Sequence, residues 1–342
     1  MDAIRKLLSR WIHDAEGARI ESLGSHGGLS GAMFWRVATS GQLVGLRRWP
    51  KEHPTADRLI EIHGLLKHLS QADIDSVPVP RAMDNGATYL RQSGYLWELS
   101  PWMPGEADDS EQPNSARLAA AMTALAQLHL AASSYSPGKP IDAPTPSVGL
   151  GRRQQALDQL QQGELQQVRS VVSASSPGAL REIAAELVEV IARVLDQVAA
   201  DARSWSNVAL PQQWCLRDVW KDHILFQQDR VSGIVDFGAV GVESVAGDLA
   251  RLLGSLVSDE PTLWKAGMEV YEKSRPLTAD ERSAVGLFDS TGLVLSAANW
   301  LRWLFLGQRK FADTPGVLAR MHHLGRRLEY LAQSGGASVA FR

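Results

Sequence analysis

Two short stretches in the second half of the chain decide the fold: "CLRDVWKDHILF" (215–226) and "GIVDFGAV" (233–240). The apolar "ILF" predicts a strand, "QQDR" predicts a turn, and "VSGIVDFG" predicts a second strand that ends at Asp236. Such a hairpin places Asp218 and Asp236 at the same end of two neighbouring strands. Either aspartate alone is typical of a turn or a cap, but two carboxylates so placed can serve one nucleotide's metal and its transferable phosphate. The pair therefore indicates phosphoryl transfer.

A glycine-rich turn nearer the N-terminus supplies a candidate phosphate cradle. The segment "LGSHGGLSGAMFWRV" lies between two predicted strands of the region 18–50. Glycine lets the backbone approach phosphate oxygens closely and direct its N–H groups at them. The residues that we expect to cover the phosphates are Gly27, Gly28, Ser30 and Gly31.

The strand after this turn, "LVGLRRW", must supply a cation for the phosphates. Side chains alternate between the two faces of a strand, so Gly45 and Arg47 share one face while Arg48 lies on the other. A small residue two positions before the cation matches the Ala-x-Lys of the "VAIK" motif, which favours Arg47. Arginine can also grip a phosphate with two parallel hydrogen bonds. A helix is predicted over 56–69, and its Glu61 is the natural ion-pair partner of Arg47.

The order of the predicted elements separates a strand-rich first part from a helical second part. The first hundred residues are predicted to form strands, one helix and then more strands, and helical periodicity dominates after a short connector at 97–105. The longest predicted helix lies in "SPGALREIAAELVEVIARVLDQVAADA", with Ser176 as its N-cap and Pro177 at its first position. The fold class is therefore α+β.

Composition and charge narrow the function classes. Hydrophobic residues make up 44% and charged residues 21% of the 342 residues, which is typical of a globular protein. A formal net charge of −3 gives no electrostatic reason to expect nucleic acid or an anionic membrane as a partner. The one cysteine, Cys215, excludes an intrachain disulfide and a cysteine-based zinc site. The sequence shows neither a signal-peptide pattern nor an uninterrupted apolar membrane span, so we expect a cytoplasmic protein.

These segments, together with "RLIEIHGLLKHL", "VPVPRAM", "YLWELSPWMPGE", "LAQLH" and "GDLARLLGS", resemble the aminoglycoside phosphotransferase family of the kinase-like superfamily, which also holds choline, homoserine and fructosamine kinases. The similarity runs from residue 20 to the C-terminal helices. It implies a protein-kinase-like two-lobed fold, with a small, strand-rich, nucleotide-binding lobe at 1–99. A large, mainly helical lobe at 100–342 would carry the catalytic loop and the substrate site. Asp248 would support the catalytic loop in a structural role, as a helix cap.

The resemblance also implies a role for each candidate residue. ATP would bind between the lobes, with its adenine against the backbone of Glu98–Ser100. Asp218 would orient or deprotonate a substrate hydroxyl, and Asp236 would hold a divalent metal at the phosphates. Arg47, paired with Glu61, would position the α- and β-phosphates.

The catalytic loop departs from the family pattern His-Gly-Asp-x-x-x-x-Asn at two places. Leu216 and Arg217 replace His-Gly, and His223 replaces the asparagine that would bind the metal. A neutral imidazole is a softer ligand than an amide oxygen, and Mg²⁺ takes it poorly. Four possibilities stay open: Asp236 is the main ligand of the metal, Asp222 contributes, His223 favours Mn²⁺, or catalysis has been lost.

Two functions from different classes follow from these observations. The leading hypothesis is an ATP-dependent kinase that transfers the γ-phosphate to a hydroxyl group of a small molecule, with ATP and Mg²⁺ (or Mn²⁺) as cofactors. The alternative, motivated by His223, is a catalytically silent nucleotide-binding or interaction protein on the same fold. Fold class alone does not identify the acceptor.

Overall fold

The computed structural model describes residues 2–13, 15–25, 31–108, 113–138, 143–311 and 313–335. The strands are β1 (Arg19–Gly24), β2 (Met33–Ala38), β3 (Leu43–Arg48), β4 (Leu90–Gln92), β5 (Tyr95–Pro101), β6 (Glu106–Ala107), β7 (Thr145–Pro146), β8 (Ala209–Leu210), β9 (Gln213–Cys215), β10 (Ile224–Gln227), β11 (Arg230–Ile234) and β12 (Gly241–Glu243). The α-helices are α1 (Asp2–Leu8), α2 (Ala56–Gln71), α3 (Ser115–Ser133), α4 (Val148–Gln159), α5 (Leu165–Ala174), α6 (Ala179–Ser204), α7 (Ala246–Val257), α8 (Pro261–Ser274), α9 (Ala279–Leu301) and α10 (Thr314–Gln333).

The chain forms two compact units. The first consists of Met1–Ser110, Gln127–Pro140 and Lys221–Val240, and the second of Glu111–Ala126, Ile141–Trp220 and Gly241–Arg342. The first unit therefore takes in residues 100–110 and two later segments, the second of which contains Asp236. The division into a nucleotide-binding lobe at 1–99 and a helical lobe at 100–342 stays a prediction.

The first unit contains a five-stranded antiparallel sheet in the order β1-β2-β3-β5-β4. Strand alternation gives this sheet an apolar face, because alternate residues of a strand point the same way. Its fully buried members include Val37, Val44, Leu46 and Leu99. Gly45 and Arg47 fall on the opposite face, and the register of the β3–β5 pair sets Arg47 directly beside Glu98. The sheet thus places a cation next to a carboxylate on its second face.

The predicted hairpin after the catalytic loop is also present in the first unit. Strands β10 and β11 pair antiparallel, with Gln227 opposite Arg230 at the turn and Ile224 opposite Ile234 at the other end. Strand β6 adds to the outer side of β10 and completes a three-stranded sheet. Asp236 follows β11 directly, so the hairpin fixes its position.

The described part of the second unit is mainly helical. Helix α6 packs against α9 and α10, and α7 packs against α9. The apolar stripe of α6 is buried as its periodicity predicts, with Ile183, Leu187, Ile191, Val194 and Val198 in the core. Among the residues that the structure describes, no helix is long and apolar enough to cross a membrane.

The predicted start of α6 is wrong. The helix begins at Ala179, its N-cap is Gly178, and no side chain caps it. Gly178 has φ 155°, a conformation open to glycine and closed to a helical turn. The chain changes direction after Ser176 and Pro177, so both residues lie outside the helix.

Candidate active site

The two neighbouring arginines of β3 point to different surroundings. Arg47 stacks on the Trp49 ring, with its guanidinium carbon 3.3 Å from the ring centroid. Arg48 lies over the rings of Tyr95 and Trp97, at 4.5 and 5.7 Å. The alternation expected along "VGLRRW" holds for this pair, and Arg47 is the one that lies beside acidic groups.

Arg47, His223 and Asp236 form a charged group in the first unit. The Arg47 guanidinium lies 3.6 Å from Asp236 Oδ1, and His223 Nε2 lies 3.9 Å from Asp236 Oδ2. The Asp236 side chain is 46% exposed, whereas that of Arg47 is only 13% exposed. The carboxylate is thus flanked on both oxygens and remains open to solvent. The Asp236 carboxylate can bind a metal ion, and the Arg47 guanidinium can bind a phosphate, without the exposure of a further buried charge.

Backbone conformation aims the Asp236 side chain. Asp236 has φ 61° and ψ 68°, in the left-handed region that short polar residues tolerate. Its Oδ1 accepts a hydrogen bond from the Gly238 N–H at 3.4 Å, at the start of a short 3₁₀ turn over Phe237–Ala239. The Trp49 ring touches Gly238, where a Cβ would lie 3.4 Å from it. The turn thus lies against the same tryptophan that stacks on Arg47, and a Cβ at 238 would also come within 3.3 Å of Asp236 Oδ1.

A buried network around Glu98 supports Arg47. The Trp49 Nε1–H donates to Glu98 Oε2 at 2.9 Å, and His63 Nε2 lies 2.8 Å from the same oxygen. His63 Nδ1 lies 2.7 Å from Thr88 Oγ1, so both ring nitrogens are engaged. Burial raises the pKa of the Glu98 carboxyl, but His63, Arg47 and Trp49 outweigh burial and hold that pKa below its ordinary value. Burial conversely lowers the pKa of Arg47, against the charges of Glu98 and Asp236.

The predicted ion pair between Arg47 and Glu61 is wrong. Glu61 is exposed on α2 and pairs with Arg58 of the same helix at 2.9 Å. The acidic neighbours of Arg47 are instead Glu98, across the β3–β5 pair, and Asp236. The sequence did not suggest His63, yet a signal was present. His63 follows Leu59 by four positions, so it shares the apolar stripe of α2, whereas Glu61 lies two positions from it and faces away.

The structure describes only some of the remaining nucleotide-binding candidates. Gly27, Gly28 and Ser30 lie outside the described residues, and Gly31 adopts φ 79°, which favours glycine. Ser100 lies opposite Gly45 in the β3–β5 pair and is half-buried. Contact of adenine with the Glu98–Ser100 backbone stays a prediction. The Glu98 side chain, by contrast, is committed to the buried network.

The second unit holds Asp218 on a loop that Asp248 fixes. The buried Asp248 carboxylate accepts hydrogen bonds from the Leu216 and Arg217 N–H groups, both at 2.7 Å. Arg217 has φ 65°, a costly conformation for a side chain of this size that the surrounding bonds must hold. Asp248 therefore supports the loop as a clamp on its backbone, immediately before Asp218. The expected helix cap is wrong, because Val245 is the N-cap of α7 and Asp248 lies inside the first turn of that helix.

Arg251 of α7 is the ion-pair partner of Asp218 in this unit. The two side chains are 33% and 45% exposed, so solvent and an acceptor can both reach the pair. Cys215, two residues before Arg217, is buried, and its thiol donates to the Glu243 carbonyl at 3.2 Å. Burial, reinforced by Asp248 and Glu243, raises the pKa of this thiol, which suits a core residue and not a nucleophile.

Comparison with known proteins identifies the family of this chain. The chain matches the model of the phosphotransferase enzyme family over residues 24–283, about three quarters of its length. The chain belongs to this family. Membership places the chain among kinases and phosphotransferases that use a hydroxyl group as acceptor, as the resemblance implied.

Individual relatives agree with this assignment. The chain is 27% identical to a homoserine kinase of Beijerinckia indica, over 70% of this chain and 68% of the relative. It is 23% identical to a homoserine kinase of Methylobacillus flagellatus over 95% of each chain. The structure is similar to an aminoglycoside phosphotransferase from Alicyclobacillus acidocaldarius, with a TM-score of 0.64 at 16% identity, covering 96% of this chain and 93% of the other. The protein-kinase-like α+β fold predicted from the sequence is therefore confirmed.

Proposed function

We propose that the protein transfers the γ-phosphate of ATP to a hydroxyl of a small molecule, with Asp218 as base and with Mg²⁺ at Asp236. The observation that carries the proposal is the grouping of Arg47, His223 and the exposed carboxylate of Asp236 at the end of the predicted hairpin. In the reaction, the bond from the γ-phosphorus to the β–γ bridging oxygen breaks and a bond to the acceptor oxygen forms. ADP leaves, and Asp218 accepts the hydroxyl proton.

The donor set at Asp236 fits a divalent cation. Carboxylate oxygens are the ligands that Mg²⁺ prefers, and the Asp236 side chain is 46% exposed. His223 adds a nitrogen donor 3.9 Å from Oδ2, which suits Mn²⁺ better than Mg²⁺. Asp222, exposed on the 3₁₀ turn Lys221–His223, would supply an oxygen in place of the imidazole. The cation, when bound, would neutralise charge on the phosphates.

Arg47 would position the phosphates, and the buried Glu98 network would hold its guanidinium. An arginine that is 13% exposed, stacked on Trp49 and flanked by Glu98 loses little further freedom when it binds an anion. Its Nε is buried and lacks a hydrogen-bond partner among the described residues. The side chain is thus prepared for a ligand.

Nucleotide binding and transfer are tested separately. Thermal shifts with ATP and Mg²⁺ or Mn²⁺ should show stabilisation, since a ligand that binds the folded state raises the unfolding temperature. Arg47→Met should weaken ATP binding, and Arg48→Met is the matched control because Arg48 stacks on Tyr95 instead. Production of ADP should depend on an added hydroxyl acceptor, for which L-homoserine is the first choice because relatives are homoserine kinases. Absence of any shift with every nucleotide and metal would overturn the proposal.

A silent nucleotide-binding protein is the second candidate, and one observation favours it. His223 stands beside Asp236 where the family places a metal-binding asparagine. Under this alternative, ATP and metal would bind but no acceptor would accelerate ADP formation. Stoichiometric binding without turnover, in the presence of a panel of alcohols, would support it over the kinase.

A further inference from the structure

Two cations contact a tryptophan on the loop that carries Asp218. The Arg320 guanidinium carbon lies 3.4 Å from the centroid of the Trp220 ring, and that of Arg251 lies 5.6 Å from it. His323, one helical turn after Arg320 on α10, meets the same ring edge-on at 6.3 Å. Two guanidinium groups from α7 and α10 therefore converge on one side chain, two positions after Asp218.

More positive charge lies near this cluster within the second unit. Burial lowers the pKa of Arg153 to about 10; the charges of Arg251 and Arg217 add to the lowering, and those of Glu243 and Asp289 oppose it. Arg153 itself donates to two neutral groups, the Phe288 carbonyl and the Thr291 hydroxyl. Arg251 also has a buried Nε without a hydrogen-bond partner among the described residues. Arg251 therefore lies against Asp218, next to Arg217 in the chain, and its side chain is 33% exposed, so a ligand can reach it.

We propose that the acceptor is a hydroxy acid, whose carboxylate binds Arg320 and Arg251 beside Trp220 while its hydroxyl reaches Asp218. The inference rests on the proposed function and names the substrate class of the same site. Arg251 already binds one carboxylate, that of Asp218. A planar guanidinium matches a carboxylate with paired hydrogen bonds, and stacking on an indole fixes its plane.

The same contacts disfavour cationic acceptors. A polyamine sugar would bring ammonium groups toward Arg251, Arg217 and Arg320, and like charges in contact oppose binding. A quaternary ammonium group needs the face of an aromatic ring, but Arg320 already lies against Trp220. Arg251 already neutralises the carboxylate of Asp218, so this carboxylate would attract a second cation only weakly.

Three acceptors that differ by one group test the inference. L-Homoserine carries an amine and a carboxylate, 4-hydroxybutyrate lacks the amine, and 3-aminopropan-1-ol lacks the carboxylate. Loss of a hydrogen-bonded charge should lower kcat/KM about 10- to 100-fold for 3-aminopropan-1-ol relative to L-homoserine. For 4-hydroxybutyrate kcat/KM should equal or exceed the value for L-homoserine, because the amine has no assigned partner in this cluster and the guanidinium groups repel it.

Two variants on one helix separate a binding role from a structural one. Arg320→Gln should raise the KM for L-homoserine and for 4-hydroxybutyrate about 10- to 100-fold, and it should reduce the preference over 3-aminopropan-1-ol. Arg320→Lys keeps the charge and should retain most of that preference. Arg326→Gln, on the same helix and exposed, is the control and should change none of these constants.

The inference is overturned if 3-aminopropan-1-ol is used as well as L-homoserine, or if Arg320→Gln behaves like Arg326→Gln. It is also overturned if none of the three alcohols is phosphorylated although ATP and metal bind. In that last case the proposed function survives with another acceptor. Failure of every nucleotide to bind would remove both.

Discussion

Replacement of Glu98 by glutamine tests whether this carboxylate is the counter-ion that holds Arg47. The substitution keeps the shape of the side chain and removes its charge. Glu98 Oε2 accepts two bonds, from Trp49 at 2.9 Å and from His63 at 2.8 Å, in a site where the Glu98 side chain is 10% exposed. The glutamine oxygen can keep both contacts, so the loss measures charge rather than shape.

The magnitude follows from these bonds. A hydrogen bond to a charged group contributes about 1.5–3 kcal/mol, against about 1 kcal/mol for a neutral pair, so two bonds lose about 2 kcal/mol together. Arg47 also loses a charged neighbour while it stays mostly buried. Removal of one partner from a buried ion pair costs about 3–5 kcal/mol, which sets an upper limit. We expect Glu98→Gln to lower the free energy of unfolding by about 2–4 kcal/mol at pH 7.

Acid dependence gives the same experiment a second readout. The pKa of Glu98 is lowered in the folded state, so its charge stabilises the fold above the unfolded-state pKa of about 4.3. This contribution is lost as the pH falls through the folded pKa. In urea unfolding followed by tryptophan fluorescence, the gap between wild type and Glu98→Gln should be constant from pH 7 to about pH 5 and should shrink below about pH 4.

Glu61→Gln is the matched control, because Glu61 pairs with Arg58 at the surface of α2. An exposed pair three positions apart contributes about 0.2–0.5 kcal/mol, which salt screens. The reasoning is refuted if the two variants lose similar stability, or if the Glu98→Gln gap does not shrink in acid. Arg47 would then take its position from Trp49 and Asp236 alone.

The other predictions concern the two departures of the catalytic loop and its clamp. His223→Asn restores an oxygen ligand, so Mg²⁺-supported transfer should rise or hold while any preference for Mn²⁺ falls; a large loss with both metals would give His223 a role of its own. Asp248→Asn should cost about 2–3 kcal/mol of stability and most of the activity, because an amide replaces one of the two oxygens that accept the Leu216 and Arg217 N–H groups. Unchanged urea unfolding and turnover for Asp248→Asn would show that the loop holds its shape without the clamp.

Local patterns predicted the elements of this fold well. The hairpin before Asp236 followed from two apolar runs and a polar turn, and the opposite orientations of Arg47 and Arg48 followed from strand alternation. Both patterns depend on near neighbours in sequence. The predicted start of α6 was wrong, because the backbone conformation of Gly178 overrides the preference of Ser176 and Pro177 for helix starts.

The partner of Arg47 was beyond such patterns. Strand β3 pairs with β5 and not with its sequence neighbour β4, and that register sets Glu98 beside Arg47. Helix α2 then brings His63, not Glu61, to the network, since residues two apart face opposite ways on a helix. The ion pair of Asp218 with Arg251 also joins residues far apart in sequence. These contacts depend on pairing between distant segments, which the pattern within one segment does not predict.

The most direct test of the central claim measures phosphate transfer and nucleotide affinity together in Asp218→Asn. Transfer from ATP is followed with the best of the three alcohols above, and affinity is measured by titration of a non-hydrolysable ATP analogue with Mg²⁺. Loss of the base should slow transfer about 100- to 10,000-fold, while the affinity stays close to that of the wild type. Wild-type turnover by Asp218→Asn, or an equal loss of nucleotide binding and of transfer, would contradict the assignment of Asp218 as the catalytic base.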